Sequence, residues 1–509
     1  MQAFLLTMSN VILTASEMQE LEQRAFAEGV DQEGLMDLAG IGIARQILRQ
    51  ESRRGICILY LGKGNNAGDA LVAGSVLQNA GWSVLTRFSD FPEKLGPLPR
   101  KKLRAFGSPP RHFQGDAASI SHKFPVVLVD GILGIGSRRT LGPGLKAMTQ
   151  EMNHLRSSLR AKTYAVDVPT GVTEEGVDAD AVIADLTVTI GFPKKCLFRD
   201  DATNLVGKIH CIALNALSER LVRDNHRDRF IDADDLRPLL PRRKFDSHKG
   251  DFGRIGIVAG SLGFVGAGVL CSLSAVRAGG GLVTLYTMAD DSYPLLAVKA
   301  APEVMVKPIH DYREVLDDRL TAMAIGPGLG TAHESPVLEV IRNFDGPMVM
   351  DADALNIASR QIDTLAKMRG PRLLTPHPGE MNRLWPTGTD RVETVRAFTN
   401  RFQVTLLLKG ARTLVGERGK PLSYNATGTP GMATGGSGDV LTGVCGALLG
   451  QHLAPYDAAR LGAWLCGRAA ELSLVSESEE SMLPGDTLRY LGAAFKELRE
   501  GQEQRSSMR

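Results

Sequence analysis

The stretch Thr427–Gly443 constrains this 509-residue chain more than any other. It reads Thr-Gly-Thr-Pro-Gly-Met-Ala-Thr-Gly-Gly-Ser-Gly-Asp-Val-Leu-Thr-Gly, six glycines in seventeen residues, with one carboxylate, Asp439, after the last cluster. Apolar residues then recur at helical spacing through Val440, Leu441, Val444 and Leu448. A glycine-rich loop opening a helix aims several backbone N–H groups at one spot, where the helix dipole also favours an anion. A carboxylate placed there repels a phosphate unless it has a chemical task, such as taking the proton of an attacking hydroxyl. Pro430 and its small neighbours suit a backbone packed against a ligand better than a flexible connector with a solvated acid. The stretch therefore reads as a nucleotide-dependent active site.

The rest of the chain fits an α/β frame around it. Many of the 55 glycines fall in short loops after apolar runs, the habit of nucleotide-binding α/β folds. Thr14–Gln50 has helical spacing, with Thr14 and Glu17 forming a capping box. Ile56–Leu61 reads as a buried strand running into Gly62–Asp69, with a helix from about Ala70 to Ala80 and a strand at Ser83–Phe88, a βαβ unit. Its loop is neither G-x-G-x-x-G nor a Walker sequence. Instead Asn65, Asn66 and Asp69 offer side-chain oxygens beside backbone donors, which suits a sugar-phosphate and a monovalent cation together. Phe91–Gln114 reads as a surface excursion. Val126–Val129 ends at Asp130, and Thr163–Val166 ends in Asp167-Val-Pro-Thr-Gly171. Asn65, Asn66, Asp130, Asp167 and Thr170 thus lie just past strand ends, which share one edge in a parallel sheet.

After Ile209–Leu214 the composition changes. Ser218–Asp251 is dense in Arg, Asp and His and reads as a solvated connector, placing a domain boundary near residue 225 and domains at 1–225 and 226–509. Strands then recur at Arg254–Ala259, Leu282–Tyr286, Ala322–Ile325, Pro347–Met350, Arg372–Thr375 and Val404–Leu408. Gly326–Gly330, Asp351–Asn356, Pro376–Glu380 and Lys409–Thr413 tip the last four. Lys409–Thr413 offers donors for the nucleoside end of a nucleotide, Gly435–Gly438 a phosphate cradle and Asp439 a base, similar to the anion hole of ribokinase-like kinases. His377 stands rigidly between two prolines at a strand end. A net charge of +2 argues against nucleic acid or an anionic membrane as partner. No apolar run reaches the length of a membrane span. The six cysteines, scattered without a C-x-x-C pair, point to free thiols in a reducing cytoplasm.

These motifs carry a family resemblance. His248-Lys-Gly, the Gly-Ser-x-Gly loop at 260–263, Gly326-Pro-Gly-Leu-Gly330, Thr375–Glu380, Lys409-Gly and Gly428–Asp439 together resemble the ADP- or ATP-dependent NAD(P)H-hydrate dehydratases. Asn65–Asp69, Asp130 and Asp167–Gly171 resemble the NAD(P)H-hydrate epimerases, and the order of the two is that of bacterial bifunctional repair enzymes. The resemblance implies a Rossmann-like epimerase domain followed by a ribokinase-like dehydratase domain, acting as a homo-oligomer on NADHX and NADPHX with ADP or ATP. It implies Asp167 and Asp439 as catalytic residues. In the first domain the hydrate would contact Asn65, Asn66, Ala67, Gly68, Asp69, Gly134, Ile135, Gly136, Ser137, Arg138, Arg139, Thr140 and Asp167, with K⁺ at Asn66, Asp130 and Thr170. In the second it would contact Ala267, Gly328, His377 and Asp439, with the nucleotide at Lys409, Gly410, Ala411, Arg412, Thr413 and Gly438 and Mg²⁺ beside it. Two departures stand out: Ala67 and Ala70 replace glycines usual in the epimerase loop, and Thr429 stands where asparagine is common. An alanine held at positive φ costs about 1–2 kcal/mol, whereas one in a helix costs nothing. The competing reading is a ribokinase-like small-molecule kinase fused to a ligand-binding or scaffolding domain.

Overall fold

The computed structural model describes residues 10–106, 111–113, 120, 123–136, 140–222, 224, 226–386 and 390–500. They form two compact units, Met1–Asp224 and Asn225–Arg509. In the first, seven strands are β1 (Ile56–Leu61), β2 (Ser83–Phe88), β3 (Arg111–His112), β4 (Val126–Gly131), β5 (Lys162–Val166), β6 (Leu186–Ile190) and β7 (Lys208–Ile212). They are all parallel, in the order β3-β2-β1-β4-β5-β6-β7. Helices cover a parallel sheet on both faces, which is why Cys57–Leu61 is an unbroken buried run. Chain direction along the sheet reverses between β1 and β4, and Leu61 pairs with Gly131. The loops leaving these two strands therefore start side by side, at the crevice where such folds bind ligands.

Three local expectations need correction here. The helical stretch after Thr14 is two helices, Ala15–Ala27 and Gln32–Gln50, separated at Gly29 (φ 88°) and recapped by Asp31, although the Thr14–Glu17 capping box is present. The helix after β1 starts at Asn65, so Asn65–Asp69 form its first turns rather than a loop. Ala67 is helical and fully buried there, with no positive φ, so its replacement of glycine carries no strain. The Phe91–Gln114 segment is more than an excursion: it contains the helix Pro97–Arg104, whose buried Lys102 holds Glu33 at 2.9 Å and Asp37 at 2.6 Å.

The second unit has ten strands: β8 (Arg229–Phe230), β9 (Arg254–Val258), β10 (Leu282–Met288), β11 (Val304–Ile309), β12 (Ala322–Ile325), β13 (Met348–Met350), β14 (Arg372–Leu374), β15 (Thr405–Leu408), β16 (Thr413–Gly416) and β17 (Ser423–Asn425). Their order is β11-β10-β9-β12-β13-β14-β15-β16-β17-β8, parallel from β11 to β15 and antiparallel through β16 and β17. The reversal falls between β9 and β12, which puts the Gly260 and Gly326 turns together; Gly260 N–H donates to Pro327 O at 2.8 Å. The connector expectation at Ser218–Asp251 fails in part. Its Arg229–Phe230 pairs with β17, and Ile231 and Leu236 are buried in the second core. Charge density hid these apolar residues because they are single and aperiodic.

The helix Ser437–Gly450, buried from Val440 onward, runs through the middle of this core. It lies so close to the helix Val265–Arg277 that a Cβ on Gly443 would stand 2.0 Å from Cys271 O. None of the six cysteines is paired in a disulfide. Among the described residues no helix is long and apolar enough to cross a membrane.

Candidate active sites in the two units

In the first unit a cavity of about 340 Å³ opens at the β1/β4 crevice. Asn65, Asn66, Asp69, Gly134, Ile135, Gly136 and Asp167 line it, together with Glu22 and Lys194. Ala67 and Gly68 do not: Ala67 belongs to the core, and a Cβ on Gly68 would meet Met36 Sδ at 2.4 Å. Thr140 is exposed and outside the lining, and Ser137, Arg138 and Arg139 lie outside the described residues.

Beside the cavity Asp130 and Thr170 are hydrogen-bonded to each other, and Asn66 is anchored separately to the end of β5. Thr170 donates its N–H to Asp130 Oδ2 at 2.7 Å and its hydroxyl to Oδ1 at 2.8 Å, while Ile132 N–H adds a bond of 3.2 Å. Asn66 Nδ2 donates to Val166 O at 2.8 Å, which ties the β1 helix to the end of β5. Its Oδ1 faces Gly134, where a Cβ would stand only 2.5 Å away. Asp130 is fully buried, and burial pushes its carboxyl up to about 6 against those hydrogen bonds. No cationic side chain among the described residues pairs with it.

Asp167 occupies a left-handed conformation (φ 67°), sparsely populated for a non-glycine residue. Its Oδ1 accepts from Ile190 N–H at 3.1 Å, Thr189 Oγ1 at 3.3 Å and the Lys194 ammonium, which also donates to Ile190 O at 2.6 Å. Lys194 is 1 % exposed. Around this pair stand two further acids. Burial, then the Asp167 charge, holds Asp69 well above the usual carboxylate range. Burial also raises Glu22, against the attraction of Lys194. Sequence reasoning missed Lys194 and Glu22. The available signal was Leu186–Ile190, a short apolar strand with Lys194 just past its turn.

In the second unit Lys409, Gly438 and Asp439 come together at the start of the helix Ser437–Gly450. Gly436 (φ 99°) makes the turn into it, a conformation that favours glycine. Burial, then the neighbouring Asp351 charge, pushes the Asp439 carboxyl up to about 6, with Lys409 opposing. Lys409 stands just past the end of β15, and its side chain reaches two carboxylates. Its Nζ is 2.8 Å from Asp351 Oδ1 and 3.8 Å from Glu380 Oε2. Burial pulls this ammonium down, but Asp351 and Glu380 outweigh it and the net shift is upward. Asp351 Oδ2 also accepts from Thr442 Oγ1 at 2.7 Å. One carboxylate thus joins the end of β13, the end of β15 and the central helix. A Cβ on Gly438 would stand 3.2 Å from Lys409 Nζ, so a larger residue there would crowd the ammonium.

Gly410–Thr413 form the tight turn from β15 to β16, with Thr413 Oγ1 donating to Gly410 O at 3.0 Å and Arg412 buried. Ala267 and Gly328 adjoin: a Cβ on Gly328 (φ 59°) would lie 2.9 Å from Ala267 Cβ. His377 caps the helix Pro378–Leu384, its Nδ1 accepting from Gly379 N–H at 3.0 Å and Glu380 N–H at 3.3 Å. Its Nε2 lies 3.5 Å from Glu380 Oε1, and the side chain is half exposed. Asp351 escaped sequence reasoning as a site residue because Asp351-Ala-Asp reads as an ordinary strand tip.

The comparisons with known proteins agree with this division. Residues 32–196 match the family described as YjeF-related protein N-terminus, and residues 255–492 match that described as NAD(P)H-hydrate dehydratase. The chain is similar to the bifunctional NAD(P)H-hydrate repair enzyme Nnr of Moorella thermoacetica, 34% identical over 96% of this chain and 97% of that protein. The same-named protein of Escherichia coli is 35% identical over 85% of this chain and 84% of its own. Among solved structures, an ADP/ATP-dependent NAD(P)H-hydrate dehydratase from Bacillus subtilis, co-crystallised with ATP/Mg²⁺, is 30% identical. It covers 53% of this chain and 98% of its own, with a TM-score of 0.48. With two complementary folds along one chain and relatives matched over almost their whole length, the protein belongs to the family of bifunctional NAD(P)H-hydrate repair enzymes.

Proposed function

We propose that this chain repairs hydrated nicotinamide nucleotides. The first unit interconverts the R and S hydrates of NADH and NADPH, and the second dehydrates the S form with ADP or ATP. The observation that carries the reading is the partly buried Asp439 at the start of a glycine-led helix, beside Lys409 and Asp351. A carboxylate amid phosphate-binding amides has a use if it takes the proton of the ring hydroxyl. The hydroxyl oxygen then attacks the terminal phosphorus of the nucleotide, releasing AMP from ADP. Phosphate departs from the ring carbon as the adjacent carbon loses a proton, and the double bond is restored. Ala267, Gly328 and His377 would hold the hydrate, while Gly438 and the Lys409–Thr413 turn would hold the nucleotide. Lys409 would place positive charge near the transferring phosphate.

A potassium ion fits the first unit. Asp130 supplies a buried carboxylate without a cationic partner among the described residues, and Thr170 and Asn66 add neutral oxygens, a donor set for a hard cation. Such an ion would compensate the Asp130 charge and hold the β4 and β5 tips in place. Asp167 would then move the proton at the hydrated carbon, its orientation held by Lys194. In the second unit the described residues form no group of three His, Cys, Asp or Glu that could hold a metal. Magnesium there fits as an ion carried by the nucleotide phosphates, lowering their charge. Free thiols suit a reducing cytoplasm.

The test is incubation with mixed-epimer NADH hydrate and ADP or ATP, following the absorbance of the recovered reduced ring. Recovery of both epimers in potassium, and of the S fraction alone in a bulky organic cation, is the expected result. Equal recovery in both salts would remove potassium from the reading. A stable phosphorylated product without recovered reduced nicotinamide would favour a small-molecule kinase instead.

A further inference from the structure

A second hollow, about 470 Å³, lies in the second unit between Thr331, Asn356, Ser359, Arg360 and Arg383. No role has been assigned to any of the five above. The segments that line it also carry two of the proposed hydrate contacts: Thr331 follows Gly328 by three residues, and Arg383 lies in the helix that His377 caps. These segments are locked to one another. Gly330 N–H donates to Asp353 Oδ2 at 2.8 Å, and Asn356 Nδ2 donates to Asp353 Oδ1 at 3.2 Å. Asn356 Oδ1 in turn accepts from Arg383 Nε at 2.9 Å. So held, Arg383 folds back along its helix, with Nη1 3.9 Å from where a Cβ on Gly379 would stand.

Two arginines line the hollow, and the carboxylates nearest them, Glu334 and Asp353, are engaged elsewhere than on Arg383. Arg360 Nη1 pairs with Glu334 Oε2 at 3.0 Å, and both oxygens of Asp353 accept from amide groups. Arg383 has no carboxylate partner among the described residues, and its two Nη groups carry four N–H donors beyond the one spent on Asn356. A planar guanidinium fixed at Nε, with its outer donors open, matches the paired oxygens of a phosphate ester. Thr331 adds a hydroxyl on the same hollow, while Ser359 Oγ donates to Asn356 O at 2.7 Å.

We infer that this hollow is a phosphate subsite for the hydrated dinucleotide, with Arg383 as its principal cation and Arg360 as its second. The inference rests on the dehydratase reading and deepens it. A hydrated dinucleotide offers two sources of phosphate: the pyrophosphate, common to both hydrates, and the 2′-phosphate, present only on NADPHX.

The experiment is steady-state dehydration of S-NADHX and S-NADPHX by the full chain, comparing the parent with Arg383→Gln, Arg383→Lys and Arg360→Gln. Arg383 is exposed, so these variants should unfold at the parent temperature. The expected result for Arg383→Gln is a rise in KM for the hydrate of about 10- to 100-fold, with kcat within about twofold of the parent. Arg383→Lys should recover part of the loss. A rise confined to NADPHX identifies the 2′-phosphate, and an equal rise for both identifies the pyrophosphate. As a second readout, titration with NADPH, which has no hydroxyl to lose, should weaken in parallel. An unchanged KM for both hydrates in both glutamine variants overturns the subsite and leaves the dehydratase reading standing. A parent that dehydrates neither hydrate overturns that reading, and the subsite with it.

Discussion

Asp439 shows how a single residue can be tuned by its surroundings. In water an aspartate is too weak a base to take a hydroxyl proton efficiently, but burial and Asp351 push this one up to about 6. As a base it must be ionised, so dehydration should fall about tenfold per pH unit below about pH 6 and level off above it. A pH profile of kcat/KM with S-NADHX checks this, and an acid limb near pH 4 would mean that the residue works without the raised value. Asp439→Asn keeps the shape but loses charge and basicity. Dehydration should drop roughly 10²–10⁴-fold while nucleotide binds as well or better, because repulsion is gone. Near-parental turnover by this variant would remove Asp439 as the base. Asp351 and Lys409 explain in part why so polar a cluster is tolerated: the Lys409 ammonium lies 2.8 Å from Asp351 Oδ1 and 3.8 Å from Glu380 Oε2.

Elements set which residues can reach these sites. Because the helix after β1 starts at Asn65, Asn65, Asn66 and Asp69 reach the cavity while Ala67 and Gly68 pack inward. Ala67→Gly should therefore cost about 1 kcal/mol in stability through helix propensity, with no gain in epimerisation. Chemical denaturation paired with an R-to-S assay measures both. If glycine raised the rate, helical packing of Ala67 would be the wrong account of this position. The central helix of the second unit makes the opposite demand. Gly443→Ala would drive a Cβ into Cys271 O and Ser274 Oγ, each 2.0 Å away. Such overpacking is expected to cost about 1–3 kcal/mol, or more if the two helices cannot separate, and to lower the unfolding temperature of the second unit. An unchanged transition would show that the helix pair yields easily.

On the scale of the whole molecule, each unit has its own sheet, parallel in the first and mostly parallel in the second, its own core and its own topological reversal. Expressed separately, 1–224 should epimerise without dehydrating, and 225–509 should dehydrate only the S hydrate. Loss of folding in both fragments, read by circular dichroism and thermal melting, would show that neither core suffices alone. What the sequence by itself determined was the class of fold and the identity of the loops. Buried apolar strands ending in glycine, asparagine or aspartate announce parallel α/β sheets, because hydrophobic period and turn chemistry are local properties. The strand ends that lead to Asn66, Asp130 and Thr170, and the glycine-led turn at Asp439, were legible for the same reason. The remainder was decided by tertiary structure. Lys194 and Asp351 become site residues only when separate strand ends meet and a buried charge must find its opposite. Glu22 comes from a helix that precedes the sheet, and no periodicity tells which cavity it will face. The strands β16, β17 and β8 at one end of the second sheet are two to four residues long, and they exist because neighbours supply hydrogen bonds that their own sequences cannot. Register, charge pairing and strand order are long-range properties, and a chain reveals them only once distant segments are packed together.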